Sequence, residues 1–312
     1  MPKRKDWRIG CVGSGFIMKD CQLTAYRDMG FNPYGIASRH RENSEAVAKQ
    51  HGIPNVYDSW MQMLQDENIE ILDIAIPPDK QLDVVREAVK HPNIKGILCQ
   101  KPLAMSLEDA RETVRLCADA GIPMAVNSNM RYDQSMRALK YVLDQGLLGT
   151  PVLATIEMRA IPHWQTFLQG YDKLEIFGMG IHHVDIFRYL FGDPEEITTV
   201  CRTDPRTQFE HVDGITQFTY KYANGFMAPS LDDVWAWPND PCVKDTYIKW
   251  RVEGTDGFAK GTVGWPMYPE HCPSTLELGC KAFPGKYLRP EWDTVWFPDA
   301  FRGTMASLLC AV

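Results

Sequence analysis

The sequence predicts an α/β Rossmann domain, a doubly wound parallel sheet, followed by an α+β domain with a large, mostly antiparallel open sheet. Three observations carry this. Short apolar strands alternate with amphipathic helices over the first 128 residues, the pattern of a parallel sheet covered on both faces. A Gly-Ser-Gly turn, Gly13 to Gly15, joins the first strand to the first helix. Beyond residue 150 the strands lengthen and alternate, as "PVLATIEMRA" and "GITQFTYKY" do, which suits a sheet with one solvated face.

The elements follow in order. "WRIGCV" (Trp7 to Val12) is a strand, and a helical segment runs from the glycine turn to about Met29. Asn32 to Ser38 reads as the second strand, with helix "ENSEAVAKQHG" closed by Gly52. Ile69 to Ile76 is a third strand, backed by "QLDVVREAVKH". "IKGILCQ" precedes a helix opened by Ser106, with Glu108 and Asp109 in its first turn. "IPMAVNSN" ends the series. The boundary is placed at Ser128, giving a nucleotide-type domain over 1–128 and a substrate and oligomerisation domain over 129–312. The end, "FPDAFRGTMASLLCAV", reads as a helix that starts and stops, so the tail reads as shortened or incomplete.

Composition bounds the function. The chain has 312 residues, enough for two cored domains. A net charge of -7 argues against nucleic acid or an anionic membrane as partner. Nine cysteines form no CxxC pair and no His/Cys spacing suits zinc, so no metal is expected and a reduced, cytoplasmic protein is the simplest reading. No apolar run has the length of a membrane span, and the basic start lacks an apolar signal segment.

Gly13 and Gly15 sit where backbone N–H groups would approach a pyrophosphate at a helix N-terminus. A lone GxG is also an ordinary turn, and the third fingerprint position here is Met18; its place after the first strand of a βαβ series favours a dinucleotide. No acid stands at the end of the second strand to bind a ribose 2′-hydroxyl. Ser38 and Arg39 stand there instead, which favours NADP over NAD, unless Arg39 and Arg41 form only a solvated surface pair.

Four stretches, "GSGFIM", "IAIPPDKQLDVVREAV", "CQKPLA" and "MGIHHVDIFRYLFG", and a weaker fifth, "NMRYDQSMRALKYVLDQGLLGTP", occur in an order that resembles the Gfo/Idh/MocA oxidoreductases along nearly the whole chain. The resemblance implies an NAD(P)-dependent dehydrogenase or reductase acting on CH-OH groups of a sugar, inositol, related polyol or keto compound. It implies cofactor contacts from Gly13, Gly15, Phe16, Ile17, Ser38, Arg39, Pro77, Gln81, Gln100, Lys101 and Asn129. The family's Glu-Lys-Pro falls on Gln100-Lys101-Pro102, so the lysine is kept and the acid is not. A family histidine falls on Gln81, and the Asp of its Asp-x-x-x-His pair falls on Gly178.

Lys101 ends a strand, where open α/β sheets bind ligands, and Pro102 biases it toward an extended backbone. Apolar surroundings and a cationic nicotinamide would both lower its pKa toward the range of a proton-exchanging group. The plain alternative is a snorkelling surface lysine. At about 100° per residue, His182, Asp185 and Tyr189 share one helix face, with Val184, Phe187 and Phe191 opposite. The resemblance makes His182 a substrate-hydroxyl ligand and acid/base, with Asp185 beside it; a structural pair of Asp185 with Arg188 is the alternative. His183 reads as structural. Arg159, His163, Trp164 and Tyr171 are candidates to line the pocket, as is the loop "DDVWAWPNDP". Two other classes stay open: a lyase, glycoside-cleaving or isomerising enzyme that uses tightly bound NAD(P) in transient oxidation, and a catalytically silent nucleotide and sugar sensor. The strands "GITQFTYKY" and "YIKWRVEG" alternate so as to leave aromatic and apolar groups on both sheet faces, so a homodimer or homotetramer packed through this sheet is expected.

Overall fold

The computed structural model describes residues 1–160, 166–234, 246–264 and 273–312. They form two compact units, one of Met1–Asn129 with Pro298–Val312, the other of Met130–Phe297. This corrects the expected division at its far end: residues 298–312 belong with the first unit, not the second.

In the first unit, β1 (Arg8–Val12) leads through a π-helical turn, Ile17–Gln22, into α1 (Leu23–Met29). Next come β2 (Asn32–Ala37), α2 (Arg41–His51), β3 (Asn55–Tyr57), α3 (Trp60–Leu64) and β4 (Ile71–Ile74). Then follow α4 (Pro78–Ala88), β5 (Gly96–Cys99), α5 (Leu107–Asp119) and β6 (Met124–Val126). The six strands are parallel, in the order β3-β2-β1-β4-β5-β6. Sequence periodicity had not separated β3 and α3, which are too short to show a period. The Ser106 hydroxyl accepts the Asp109 N–H at 3.1 Å and so caps α5, as its position predicted.

The second unit contains α6 (Gln134–Asp144), β7 (Pro151–Arg159), α7 (Ile181–Phe191) and six further strands. These are β8 (Glu196–Arg202), β9 (Ile215–Lys221), β10 (Met227–Asp233), β11 (Tyr247–Gly254), β12 (Gly257–Val263) and β13 (Thr275–Cys280). The sheet order is β13-β12-β11-β7-β10-β9-β8; only β7 and β10 pair in parallel. Its alternation is cleaner than expected. Phe218, Tyr220, Ile248, Trp250 and Val252 are buried, while Gln217, Lys221 and Lys249 on the opposite face are exposed. The two strands expected to carry apolar groups on both faces therefore do so mainly on one; Ile215 and Tyr247, both half-buried, are the apolar residues on the other. Exposed apolar side chains gather elsewhere, at the edge strand β8 and on β10.

The last segment forms a helix, α8 (Phe301–Ala311). Phe301, Thr304, Met305, Leu308 and Leu309 form its buried stripe, at the spacing of one helix face. It packs on β5 and β6. The approach is close enough that a Cβ at Gly96 would lie 2.8 Å from Val312 Cγ2, so glycine in β5 makes room for this helix. No helix among the described residues is long and apolar enough to cross a membrane.

Candidate active site

The glycine turn follows β1. Gly13 has φ +111, and a Cβ there would lie 2.4 Å from the Ala75 carbonyl oxygen, so both backbone geometry and space require glycine. Its N–H donates to the Ala37 carbonyl of β2 at 2.8 Å, and the Ala75 N–H donates to Val12 of β1 at 2.8 Å. The turn is thereby pinned between β2 and β4. At Gly15 nothing lies within 4 Å of where a Cβ would stand, so the backbone opening the helical segment faces open space. The Gly15 carbonyl accepts from the Lys19 N–H at 2.8 Å, and Phe16 and Ile17 lead directly into the helix. Early N–H groups of a helix lack intrahelical partners and favour anions.

Lys101 follows β5 at the same end of the same sheet. Only β4 lies between β5 and β1, so the two strand ends are about 10 Å apart by strand spacing. The Lys101–Pro102 peptide is cis. The Lys101 N–H donates to the Gln100 side-chain oxygen at 3.1 Å. Gln81, expected at the cofactor, is fully buried in the first turn of α4, and its amide is spent on the backbone of residues 100 and 102. That expectation is corrected: the side chain is turned into the fold. Pro77 precedes α4, and Pro78 begins it, where the missing N–H costs nothing. By strand register Gln100 and Asn127 stand next to one another, just beyond β5 and β6. Both are buried, and Gln100 Nε2 and both side-chain polar atoms of Asn127 have no hydrogen-bond partner among the described residues. Unpaired buried amides are costly, and they cluster where parallel sheets take ligands. Asn129 is also buried there. A pinned glycine turn, an open Gly15 and these amides fit a bound nicotinamide dinucleotide.

At the end of β2, the Ser38 hydroxyl donates to the His40 carbonyl at 2.9 Å and lies 2.7 Å from Ser44 Oγ. Arg41 is taken up by Glu45 and Asp58. Arg39 is exposed, with its guanidinium 3.2 Å from His40 Nε2. The two arginines therefore do not act as one pair.

In the second unit, His182 is 3% exposed and meets the Trp296 ring edge-on at 5.0 Å. The buried side of α7 is His182, His183, Ile186 and Phe187, which corrects the expected core stripe of Val184, Phe187 and Phe191. Arg131 donates to Asp185 at 2.7 Å, with a second bond to the other carboxylate oxygen. The alternative pairing with Arg188 is not formed; Arg188 donates to Asp193 at 2.6 Å. Asp185 is thus paired with the Arg131 guanidinium through both carboxylate oxygens. His183 is fully buried, with its Nδ1 2.7 Å from Asp232 Oδ1. Arg159 ends β7, with Glu157 at 3.3 Å and Asp233 at 3.8 Å. Tyr171 packs edge-on with Phe167 and Phe177. His163, Trp164 and the part of "DDVWAWPNDP" from 235 onward lie outside the described residues.

Two buried acids escaped the sequence reading, although each interrupts an apolar run. Asp73, in β4, accepts from Tyr26 at 2.6 Å and from Gln22 at 2.8 Å. Burial pushes its carboxyl up to about 7 against the pull of those two bonds. Glu175 is buried against Gly180, where a Cβ would meet its carboxyl oxygens at 2.5 Å. Burial, then Asp232 and Asp213, push Glu175 well above the usual carboxylate range. Glu175 therefore stands as a buried acid whose charged form is disfavoured, three residues before Gly178, the position from which the family acid is missing.

Fold and site define a Rossmann-type nucleotide-binding protein with a lysine at the end of its fifth strand. Residues 7–128 match a family model described as an oxidoreductase family with an NAD-binding Rossmann fold, and residues 136–260 match that family's C-terminal domain. The chain belongs to the Gfo/Idh/MocA family. It is 31% identical over 206 residues to D-apiose dehydrogenase of Rhizobium rhizogenes, a stretch covering 64% of this chain and 59% of that protein. It is 27% identical over 208 residues to 1,5-anhydro-D-fructose reductase of Ensifer adhaerens, covering 63% and 60%. The matched stretches thus span less than two thirds of these relatives. A solved structure of levoglucosan dehydrogenase, in complex with NADH and levoglucosan, shares the fold with a TM-score of 0.81 at 18% identity, over 98% of this chain and 89% of that one.

Proposed function

We propose that the protein is an NAD(P)-dependent dehydrogenase or reductase that moves a hydride between nicotinamide and a sugar, inositol or related polyol or keto compound. The observation that carries this is Lys101 at the carboxyl end of β5, on the side of the sheet that bears the Gly13–Gly15 turn. The nicotinamide, when bound, supplies the hydride acceptor or donor. Lys101 exchanges the proton of the substrate hydroxyl, and His182 orients that hydroxyl and shares the proton. The named relatives act on D-apiose and 1,5-anhydro-D-fructose, which supports a carbohydrate substrate. The test is a screen of polyols and keto sugars with both cofactors. Net formation or consumption of reduced cofactor supports the reading. Turnover with unchanged cofactor absorbance would favour the transient-oxidation alternative, and binding without turnover the sensor.

The cofactor is proposed to be NADP or NAD, with NADP favoured, because Arg39 is exposed at the end of β2 where no acid stands. NADPH is expected to bind more tightly than NADH, and Arg39→Ala to abolish the difference. Equal affinities of the parent protein in fluorescence titration would refute the NADP reading.

Assembly as a homodimer or homotetramer through the second sheet is proposed on the strand β8. All seven of its residues are exposed, Ile197 at 55% and Val200 at 67%, and among the described residues it is one of the sheet's two edge strands. Natural sheets rarely leave such an edge uncovered. An antiparallel mate centred on Thr199 would set Glu196 against Arg202 of the partner subunit. Light scattering at micromolar concentration is expected to give a multiple of the 35.6 kDa chain, reduced to one chain by Ile197→Lys with Val200→Lys. A monomeric parent would overturn this.

A further inference from the structure

Lys101 stands on a turn whose backbone is gripped by one buried side chain from another element. Gln81 Oε1 accepts the Gln100 N–H at 2.7 Å. Gln81 Nε2 donates to the Gln100 carbonyl at 3.0 Å and to the Pro102 carbonyl at 2.9 Å. These bonds fall on the residues immediately before and after Lys101, and all are buried. The Lys101 N–H itself is held by the Gln100 side chain. The groups that fix this turn are neutral amides.

We propose that Gln81 is a positioning residue for Lys101. The inference rests on the reading of Lys101 as the proton-exchanging group. The task at residue 81 is to accept one N–H and donate to two carbonyls from a single side-chain terminus. An uncharged amide does both at any pH. A carboxylate only accepts, and its charge would face the Gln100 and Pro102 carbonyls. An imidazolium only donates, and would leave the Gln100 N–H with the Ile74 carbonyl as its remaining partner, at 3.0 Å. Because the amide does not titrate, the bonds it makes to the turn do not change with pH, and the pH response of this strand end is left to the lysine. Displacement of a catalytic group by about 1 Å is enough to cost on the order of 10² in rate, so a grip of this kind has kinetic consequences without touching substrate or cofactor.

Three variants separate this role from a cofactor contact. Gln81→Met keeps the length and removes every bond; Gln81→Glu keeps only the acceptor; Gln81→His provides both functions only while neutral. Hydrogen exchange at the Gln100 and Lys101 amides is expected to speed up about tenfold or more in Gln81→Met. Its kcat is expected to fall about 10- to 100-fold, while the Kd for reduced cofactor, measured by fluorescence titration, stays within about threefold of the parent. Gln81→His should regain most of the turnover above pH 7.5 and lose it below about pH 6.5, an acid limb added to the one that Lys101 gives the parent, so that the ratio of variant to parent turnover itself falls with pH. Should Gln81→Met fail to fold, the acid limb of Gln81→His and the turnover deficit of Gln81→Glu at pH 8 carry the same test. Cofactor affinity that falls in step with kcat, or turnover of both Gln81→Met and Gln81→Glu within threefold of the parent, would overturn the proposal. Lys101→Ala, measured beside them, distinguishes the two failures. If it is inactive while the Gln81 variants are normal, only the positioning role is wrong; if it is fully active, the role of Lys101 is wrong and the positioning proposal falls with it.

Discussion

Lys101→Ala is expected to lower turnover by about 10² to 10⁴, the usual cost of losing a positioned acid or base. The substrate is whichever polyol or keto sugar the cofactor screen identifies. Folding is expected to survive, because the lysine lies past the end of β5 and the buried groups beneath it are Cys99, Gln100 and Pro102. Cofactor affinity should change little, since the phosphate-side features, Gly13 and Gly15, follow β1 and are untouched. The comparison with Lys101→Arg is informative. Arginine keeps the charge but does not deprotonate near neutral pH, so it should remain as slow as alanine if proton exchange is the function. An arginine variant close to the parent would mean that only a positive charge is needed there, and an alanine variant within a few-fold would leave the lysine as a tethered surface charge.

Asp73→Asn is expected to make the protein more stable above pH 7, by as much as about 4 kcal/mol, and to change it little near pH 4. The carboxyl titrates at about 7 in the folded protein because burial penalises its charged form more than Tyr26 and Gln22 relieve it. In the unfolded chain it titrates near the ordinary value of about 3.9. Between those two values the folded state holds a proton that the unfolded state has released. Its stability contribution is therefore full below about pH 4, falls as pH rises, and is gone above about pH 7. Asparagine keeps the shape, can accept from Gln22 and donate to Tyr26, and does not ionise. Urea midpoints of parent and variant at pH 5 and pH 8 give the test. A gap of the same size at both values would mean that Asp73 does not titrate between them. The effect reaches toward the cofactor end of the fold, since Gln22 belongs to the π-helical turn that follows the Gly13–Gly15 segment.

Much of the first unit was legible before any coordinates. Apolar runs such as Ile69–Ile76 and the glycine turn are local signals, and each placed its element correctly to within a few residues. The lysine before a proline at a strand end was legible for the same reason. Side-chain partnership was not. Asp185 read as part of a polar helix face, yet its partner is Arg131, 54 residues away. Gln81 read as a lost histidine at the cofactor, yet it bonds to a backbone 19 and 21 residues on. The acids Asp73 and Glu175 were visible as charges inside apolar runs, but nothing in their neighbourhoods told how deeply each would be buried.

The sequence by itself determined the kinds and order of the longer elements of the first unit and the parallel character of its sheet, because the periods of 2 and 3.6 are properties of neighbouring residues. It also determined which residue types stand at the strand ends. The tertiary structure alone decided that the last helix returns to the first unit, that the outward faces of β9 and β11 are mostly polar while β8 is bare, and that an amide rather than an ionisable group grips the backbone around Lys101. Each of these depends on which distant groups come within hydrogen-bond or van der Waals reach, and that is fixed only when the whole chain packs.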